Sequence, residues 1–223
     1  KKGGGKQVKE EVILEAKNIC KSFSKVPVLE YVNFAVRKGE VHGLMGENGA
    51  GKSTLIKILT GVYKKDSGTV FWDGKEVVIN SYKDCQNLGM ACIYQELSVI
   101  PSLTVAQNVF LGREPKKLGL IDHKKMNEET KAWIDQYDFP LKPDALVSEL
   151  GVGLRQLVEI LKGLSCNFKV LIMDEPTASL SGKEAKSLFS IIHTLRKNGV
   201  SVIYISHRLE EVYQLADRLT VLR

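Results

Sequence analysis

The order of apolar and polar residues changes several times along the chain. Residues 11–16 and 31–36 alternate apolar with polar positions, as half-buried strands do, and a turn is expected at Pro27 between them. Residues 41–45 are a short apolar run that leads into a glycine-rich loop, and residues 53–59 resume with helical spacing. This stretch therefore predicts two antiparallel strands followed by a strand, a loop and a helix.

Turn residues separate the short runs of the next stretch. Turns are expected at 66–68 and 73–74, and strands at 69–72, 76–79 and 90–94. From residue 104 to about 165 the spacing becomes predominantly helical. This helical stretch is broken at Pro115, Gly119, Pro140 and Pro143.

The last third alternates strands that are apolar throughout with amphipathic helices. Strands are expected at 169–173, 200–205 and 219–223, and helices at 183–197 and 209–216. Strands of this kind are buried on both faces, which is typical of a parallel sheet covered by helices. The predicted fold class is α/β, with a mainly parallel core, an antiparallel β subdomain near the amino terminus and an inserted helical subdomain.

The composition indicates a globular protein with one sizeable domain or two small ones. The chain has 223 residues, of which 43% are hydrophobic. No run approaches the roughly 20 apolar residues that span a bilayer, and the first residues lack the apolar middle of a signal peptide. The four cysteines show neither a C-x-x-C pair nor metal-ligand spacing. These features favour a cytosolic location, with any membrane role exerted through a partner.

The formal net charge of +6 does not by itself indicate a nucleic-acid-binding protein. Four of the positive charges precede the first acidic residue, at Lys1, Lys2, Lys6 and Lys9. The later charges are mixed in sign, whereas a protein that grips phosphate backbones usually presents a dense basic face. We therefore expect no nucleic-acid partner, and we interpret residues 1–9 as a disordered leader or a cloning remnant.

A phosphate-binding pattern, G-x-x-x-x-G-K-[ST], lies between a predicted strand and a predicted helix. The pattern consists of Gly46, Glu47, Asn48, Gly49, Ala50, Gly51, Lys52 and Ser53, and Thr54 follows it. Glycines let successive N–H groups face a phosphate, the helix directs its positive end at the same anion, and Lys52 adds a charge. The loop predicts an ATP site in which the Ser53 hydroxyl binds Mg²⁺.

An acidic pair, Asp174 and Glu175, follows the apolar strand at 169–173. Ligands of parallel α/β sheets gather at this end of the strands. Alone, such a pair is often a solvated turn, but together with the phosphate loop it indicates a Walker B arrangement. We expect Asp174 to hold Mg²⁺ through water and Glu175 to polarise the water that attacks the γ-phosphate.

With these motifs in order, the chain resembles the ABC transporter ATPases, and further residues match that family. Gln95 matches the glutamine that the family uses to touch Mg²⁺ and the attacking water and to couple the site to a membrane partner. His207 matches the switch histidine that contacts the γ-phosphate, and Phe23 the aromatic residue that stacks on adenine. Without the family, Gln95 and His207 would be interpreted as polar strand caps and Phe23 as a core residue. The resemblance implies Glu175, His207 and Gln95 as catalytic residues and Ser53, Gln95 and Asp174 as metal ligands.

Two motifs of the family are altered. The signature, typically L-S-G-G-Q, is replaced by Leu150, Gly151, Val152, Gly153 and Leu154, which lack its serine and glutamine. In the family, this motif reaches the γ-phosphate bound by the other cassette, so loss of the hydroxyl removes a hydrogen bond worth roughly 1.5–3 kcal/mol. The D-loop position holds Ser179, Leu180 and Ser181 instead of a segment with aspartate. We expect an asymmetric dimer in which one site hydrolyses ATP and the other only binds it.

Residues 93–114 and 204–212 resemble the first cassette of bacterial monosaccharide importers of the ribose, galactose and xylose type. The resemblance implies one nucleotide-binding domain at 10–223, with its core at 10–95 and 168–223 and a helical subdomain at about 96–167. In that group two cassettes are fused, so the chain is expected to be a fragment of a two-cassette polypeptide. The implied partners are ATP, a second cassette, integral-membrane permease subunits and, indirectly, a sugar-binding protein.

The predicted function is the ATP-binding subunit of an importer at the cytoplasmic face of the membrane. Mg-ATP binding and hydrolysis would drive monosaccharide uptake, with coupling residues between 95 and 112. One alternative is a soluble ABC ATPase that acts on ribosomes or DNA, which predicts a basic arm or a long coiled-coil insertion. The other is a nucleotide-binding module without hydrolysis, against which the intact Glu175 and His207 argue.

Overall fold

The computed structural model describes residues 11–93 and 98–223. The strands are β1 Val12–Phe23, β2 Val26–Arg37, β3 Val41–Gly46, β4 Ser67–Trp72, β5 Lys75–Val77, β6 Met90–Ile93, β7 Lys116–Lys117, β8 Leu120–Ile121, β9 Val170–Asp174, β10 Ser201–Ile205 and β11 Arg218–Leu222. The helices are α1 Lys52–Leu59, α2 Tyr82–Leu88, α3 Val105–Phe110, α4 His123–Tyr137, α5 Val152–Leu164, α6 Gly182–Lys197 and α7 Leu209–Leu215. A 3₁₀ turn at Val147–Glu149 precedes α5.

Five strands form a parallel sheet in the order β11-β3-β10-β9-β6. Successive side chains of a strand point to opposite faces, so in β9 Val170 and Ile172 pack on one side while Leu171 and Met173 pack on the other. Both faces are covered, which explains why the strands are apolar throughout. The predicted α/β class with a parallel core is confirmed.

The two faces of the parallel sheet belong to different hydrophobic clusters. One cluster contains α1 and the inner face of an antiparallel sheet with the order β2-β1-β4-β5. The other contains α3 to α7. The predicted antiparallel and helical parts therefore lie on opposite sides of the same central sheet.

The expected turn at Pro27 is wrong. β1 and β2 continue to a tight turn at Ser24 and Lys25, whose φ angles are 48° and 69°. Pro27 instead pairs with Ser22 inside β2, an edge strand, where a missing N–H is tolerated. Non-glycine residues are uncommon in the left-handed region, so the true turn had no sequence signal.

Other boundaries also differ from the sequence-based expectation. The strand expected at 76–79 is β5, which ends at Val77, and α2 had no predicted counterpart. The helical stretch predicted from 104 contains α3, α4 and α5, but it also contains a short hairpin of β7 and β8, which Pro115 precedes and in whose turn Gly119 lies. In the ranges 11–93 and 98–223, no helix is both long and apolar enough to cross a bilayer.

Two glycines with nearly the same backbone conformation test how tightly the segments pack. Gly61 and Gly74 have φ angles of 75° and 76°, but an added Cβ at Gly61 would lie 2.6 Å from the Ser81 carbonyl oxygen. At Gly74 it would meet no atom of the described residues within 4 Å. Gly74→Ala should cost about 1–2 kcal/mol of stability because of φ alone, and Gly61→Ala roughly 2–5 kcal/mol because a clash is added. Urea unfolding of both variants measures the difference, and equal losses would contradict the packing described.

Candidate active site

A cavity of 470 Å³ lies at the carboxyl ends of β3 and β9. It is lined by Val28, Asn48, Gly49, Gly51, Lys52, Ser53, Thr54, Asp174 and Glu175. The structure therefore brings the phosphate-binding loop and the acidic pair together, although more than 100 residues separate them in the sequence. Val28 was missed by the sequence analysis because a turn was expected next to it.

The loop is wrapped around the ammonium group of Lys52. The side chain is 8% exposed, and its Nζ donates hydrogen bonds to the carbonyl oxygens of Gly46 at 2.7 Å and Glu47 at 3.0 Å. Helix α1 begins at Lys52, and no side-chain hydrogen bond caps it. Its first residues line the cavity, so a lysine charge and the positive end of a helix both face this space. This combination suits a polyphosphate.

Gly51 is required both by its conformation and by its surroundings. Its φ angle is 93°, in the left-handed region. A Cβ at this position would lie 2.5 Å from Leu29 Cδ2 and 3.0 Å from the Val28 carbonyl oxygen. β2 thus packs directly against the loop and fixes the place where α1 begins.

Asp174 and Glu175 occupy the point where β9 ends. Burial raises the pKa of the Asp174 carboxyl, and the neighbouring charge of Glu175 raises it further, whereas Lys52 and Lys57 lower it. Glu175 has a φ angle of 46°, and its N–H donates to the Ile205 carbonyl oxygen at 3.0 Å. Such a conformation costs on the order of 1–3 kcal/mol in a non-glycine residue, and strain of this kind is often found at functional sites.

His207 follows β10 and meets the acidic pair from the neighbouring strand. Its Nδ1 lies 3.1 Å from Oε1 of Glu175, and its side chain is exposed. Since Glu175 also lines the cavity, this contact joins the histidine to the phosphate-binding loop. The three segments that the sequence singled out are therefore adjacent in the fold.

The oxygen donors at the cavity fit Mg²⁺. Ser53 and Asp174 both line it, and Mg²⁺ is usually held by one or two protein oxygen ligands together with water and phosphate oxygens. The raised pKa of Asp174 reflects a buried carboxyl beside another acid, and a divalent cation would offset both effects. Gln95, the third expected ligand, lies outside the described residues.

Phe23 lies at the end of β1, next to the hairpin turn. Its side chain is 40% exposed, and its ring packs edge to face against Tyr63 with centroids 5.3 Å apart. The Lys21 ammonium lies 5.3 Å from the centre of the Phe23 ring. The ring is therefore accessible for stacking, and its role toward adenine stays a prediction.

The altered signature lies at the start of α5. Gly151 is the N-cap residue of this helix, and a Cβ at Gly153 would lie 2.9 Å from Oε1 of Glu184. Leu150 and Leu154 pack at the edge of the helical cluster, and Val152 is 44% exposed. The motif therefore keeps the backbone of a helix N-terminus. A glycine is needed at position 153 because the side chain of Glu184 on α6 leaves no room for a Cβ there.

The D-loop segment is adjacent to the signature. Ser181 caps α6 by accepting a hydrogen bond from the Glu184 N–H, while its own hydroxyl donates to Oε2 of Glu184 at 2.7 Å. Ser179 is exposed, and Leu180 packs partly against the helical cluster. The hydrogen bond from Ser181 lowers the pKa of Glu184 most, and the backbone N–H groups of Ser181 and Gly153 lower it further. One carboxylate thus connects both altered motifs.

The phosphate loop, the histidine and the acidic pair emerge from three adjacent parallel strands, since β10 lies between β3 and β9. This arrangement defines the class of P-loop nucleotide-binding proteins. The chain belongs to the ABC transporter family, whose model matches residues 29–178. It is an ATP-binding cassette of that family.

Curated relatives and solved structures agree with this assignment. The chain is 50% identical over 211 residues to the ribose import ATP-binding protein RbsA 1 of Streptomyces avermitilis, covering 95% of this chain and 40% of that protein. It is 49% identical to the ribose import ATP-binding protein RbsA of Geobacillus kaustophilus, with 95% and 43% covered. The chain thus spans less than half the length of these relatives.

The fold is shared with ABC transporter proteins of known structure. An ATP-binding cassette of an ABC transporter in its ADP conformation superposes with a TM-score of 0.84 at 30% identity, covering 95% of this chain and 87% of that one. The cbiO1 protein of Clostridium perfringens, part of an ABC transporter complex, gives a TM-score of 0.83 at 26% identity, with 96% and 86% covered.

The position of Lys52 leads to a binding prediction. Lys52→Ala should weaken Mg-ATP binding by roughly 10- to 100-fold, because it removes a charge-assisted contact to phosphate oxygens. Lys124→Ala is the control and should leave the affinity unchanged, since Lys124 is an exposed lysine on α4. Titration with a fluorescent ATP analogue measures both affinities. An unchanged affinity for Lys52→Ala would contradict the assignment of the site.

Proposed function

We propose that the chain binds Mg-ATP, hydrolyses it and drives uptake of a monosaccharide through membrane partners at the cytoplasmic face. The observation that supports this most is the cavity in which the Lys52 loop and the Asp174–Glu175 pair meet, with His207 in contact with Glu175. A nucleotide with its phosphates in this cavity has both the charge that holds it and a carboxylate at the place of reaction.

The roles of the residues follow from their positions. Lys52 and the N–H groups at the start of α1 hold the phosphate oxygens, and Ser53 and Asp174 hold Mg²⁺, with Gln95 as an expected further ligand. Bound Mg²⁺ would neutralise phosphate charge. Glu175 orients the attacking water and accepts its proton, while His207 steadies Glu175 and contacts the γ-phosphate. Phe23 stacks on the adenine ring.

Hydrolysis is proposed to need a second cassette, in the same polypeptide. The signature at the start of α5 and the D-loop lie next to each other through Glu184, as expected for one face offered to a partner cassette. That face lacks the usual serine hydroxyl, so it stabilises the partner's γ-phosphate less well. The partner's nucleotide meets this altered signature, whereas the nucleotide on the phosphate loop of this chain meets the signature of the partner. The dimer is therefore asymmetric, and the site that contains the phosphate loop of this chain is the stronger one.

A groove beside β6 is proposed to receive the membrane subunits. Its volume is 660 Å³, and residues of α2, β6 and α5 line it. β6, Leu111 and Phe168 contribute apolar side chains, and Arg113, Glu159 and Lys162 contribute charged ones. Oε1 of Glu159 accepts hydrogen bonds from the N–H of Ser98 at 2.6 Å and from its hydroxyl at 2.8 Å. Ser98, which belongs to the stretch where coupling is expected, is thereby held at the groove.

The solute is proposed from the relatives, whose names describe ribose import. Permease subunits and a sugar-binding protein are the partners that such import requires. The alternative of a soluble ATPase on ribosomes or DNA is not favoured, because these relatives are named as import proteins.

The role of Glu175 predicts a separation of binding from turnover. Glu175→Gln should keep Mg-ATP affinity within about threefold and reduce the hydrolysis rate by roughly 10²- to 10⁴-fold, because the base is lost while the contacts to the phosphates remain. Glu210→Gln, at an exposed glutamate of α7, is the control. ATP hydrolysis and uptake of labelled ribose are measured together in vesicles that contain the assembled protein. Normal hydrolysis by Glu175→Gln would refute the catalytic role, and hydrolysis without uptake of any monosaccharide would refute the import role.

The altered signature predicts a gain of activity. Gly151 has the extended conformation of a serine N-cap, with φ −62° and ψ 162°, and an added Cβ would meet only Glu184 Oε1 at 3.8 Å among the described residues. Gly151→Ser should therefore fold and raise ATP turnover by pairs of this chain roughly 10-fold, because it restores a hydrogen bond to phosphate.

Gly153→Ser is the matched control, because its side chain would collide with Glu184 and should lower turnover. The measurement is the hydrolysis rate per chain as a function of its concentration. A Gly151→Ser variant that folds but is no faster than the original chain would contradict the explanation of asymmetry.

A further inference from the structure

The segment that bears His207 is tied to a buried carboxylate on α7, Glu211, which is 8% exposed. Three hydroxyl groups and one guanidinium group donate hydrogen bonds to it: Thr177 Oγ1 at 2.8 Å, Tyr204 Oη at 2.7 Å, Ser206 Oγ at 3.0 Å and Arg208 Nη1 at 3.2 Å. Buried charges are costly unless they are fully paired, and these four donors supply the pairing.

The donors flank the residues of the proposed site. Ser206 and Arg208 are the immediate neighbours of His207, and Thr177 is two residues beyond Glu175. The Ser206 hydroxyl also accepts the N–H of Arg208 at 3.0 Å, which closes the backbone around His207. Glu211 therefore fixes the two segments whose side chains meet at 3.1 Å.

We propose that Glu211 is a positioning residue that holds His207 and Glu175 in contact, so that ATP hydrolysis depends on its carboxylate although it does not touch the nucleotide. The inference rests on the proposed function, in which Glu175 and His207 act on ATP. It assigns to α7 a task that the motifs of the sequence do not indicate, because the pattern of this helix marks Glu211 only as a polar residue near its start.

The chemistry of the donors explains why a charged acceptor is needed. Hydroxyl and guanidinium groups all donate here, and an ionised carboxylate accepts at every site, whereas an amide would turn N–H groups toward some of the donors. Burial by itself raises the pKa of Glu211, but the hydrogen bonds from Tyr204, Thr177, Ser206 and Arg208 outweigh it and hold the pKa below its ordinary value. The group is therefore ionised at neutral pH.

A second buried carboxylate offers a matched control. Glu40 is 6% exposed and accepts hydrogen bonds from the Arg37 N–H at 2.7 Å and from Arg218 Nη1 at 3.3 Å, and His42 Nδ1 lies 3.1 Å from it. It lies just before β3, at the amino ends of the parallel strands and so at the edge of the sheet opposite the site. A change at Glu40 disturbs a comparable network without touching the segment of His207.

The first experiment compares Glu211→Gln with Glu40→Gln in the assembled, full-length protein. Glu211→Gln is expected to lower kcat by roughly 10- to 100-fold, because a small misplacement of reacting groups has effects of this size, with KM for ATP within about threefold. Glu40→Gln is expected to lose stability but to keep kcat. Unchanged kcat in Glu211→Gln, or an equal loss in both variants, would overturn the proposal.

The second experiment asks whether Glu211 acts through His207. In a His207→Ala background, Glu211→Gln is expected to cause little further loss, since residues that act as one unit are not additive. A loss that multiplies fully in the double variant would overturn the proposed route.

If Glu211→Gln does not fold, a second variant tests the same proposal. Ser206→Ala removes one hydrogen bond to Glu211 beside His207 and is expected to lower kcat by roughly 3- to 10-fold, and an unchanged kcat would overturn the proposal.

The same assay separates this inference from the function on which it rests. If Glu175→Gln hydrolyses ATP at the original rate, the proposed function fails and the inference falls with it. If Glu175→Gln and His207→Ala are slow while Glu211→Gln is normal, the proposed function stands and only the role of Glu211 is refuted.

Discussion

The lateral pairing of β3, β10 and β9 is the constraint on which the rest of the structure depends. In this pairing Ile205 lies opposite both Leu44 and Asp174, so β9 and β10 end at the same level and β3 continues for two residues, to Gly46. This pairing places three segments next to one another: the phosphate loop, the histidine segment and the acidic pair. Two separate hydrophobic clusters cover the two apolar faces of this sheet, one with the antiparallel sheet and α1 and one with the helices α3 to α7.

How much of this was predictable depends on whether the determining contacts are local. The apolar strands and the phosphate loop could be predicted because period and spacing reside in neighbouring residues, and the loop's place between strand and helix follows from its own sequence. The hairpin turn at Ser24 and Lys25 could not, because it depends on strand pairing rather than on a turn residue. α2 is only seven residues long, too short for periodicity to indicate it, although Ser81 caps it.

The candidate site shows the same division. Lys52, Asp174 and Glu175 follow from motif and position, whereas His207 and Phe23 required a resemblance to a family. The close approach of Val28 and Glu184 to the motifs comes from packing between distant segments, which one sequence does not reveal. The altered signature and D-loop looked like two independent departures, yet both rest on the carboxylate of Glu184, so a change in either bears on the other.

The left-handed backbone of Glu175 affects the folding stability of variants at this position. A glutamate held at φ 46° stores strain that a glycine there would release, while the carboxylate proposed to act on water would be lost. Loss of the proposed base would then coincide with a gain in folding stability, so the inactive variant would accumulate as well as the original chain. A measurement of folding or abundance would not reveal such a variant, whereas a measurement of activity would.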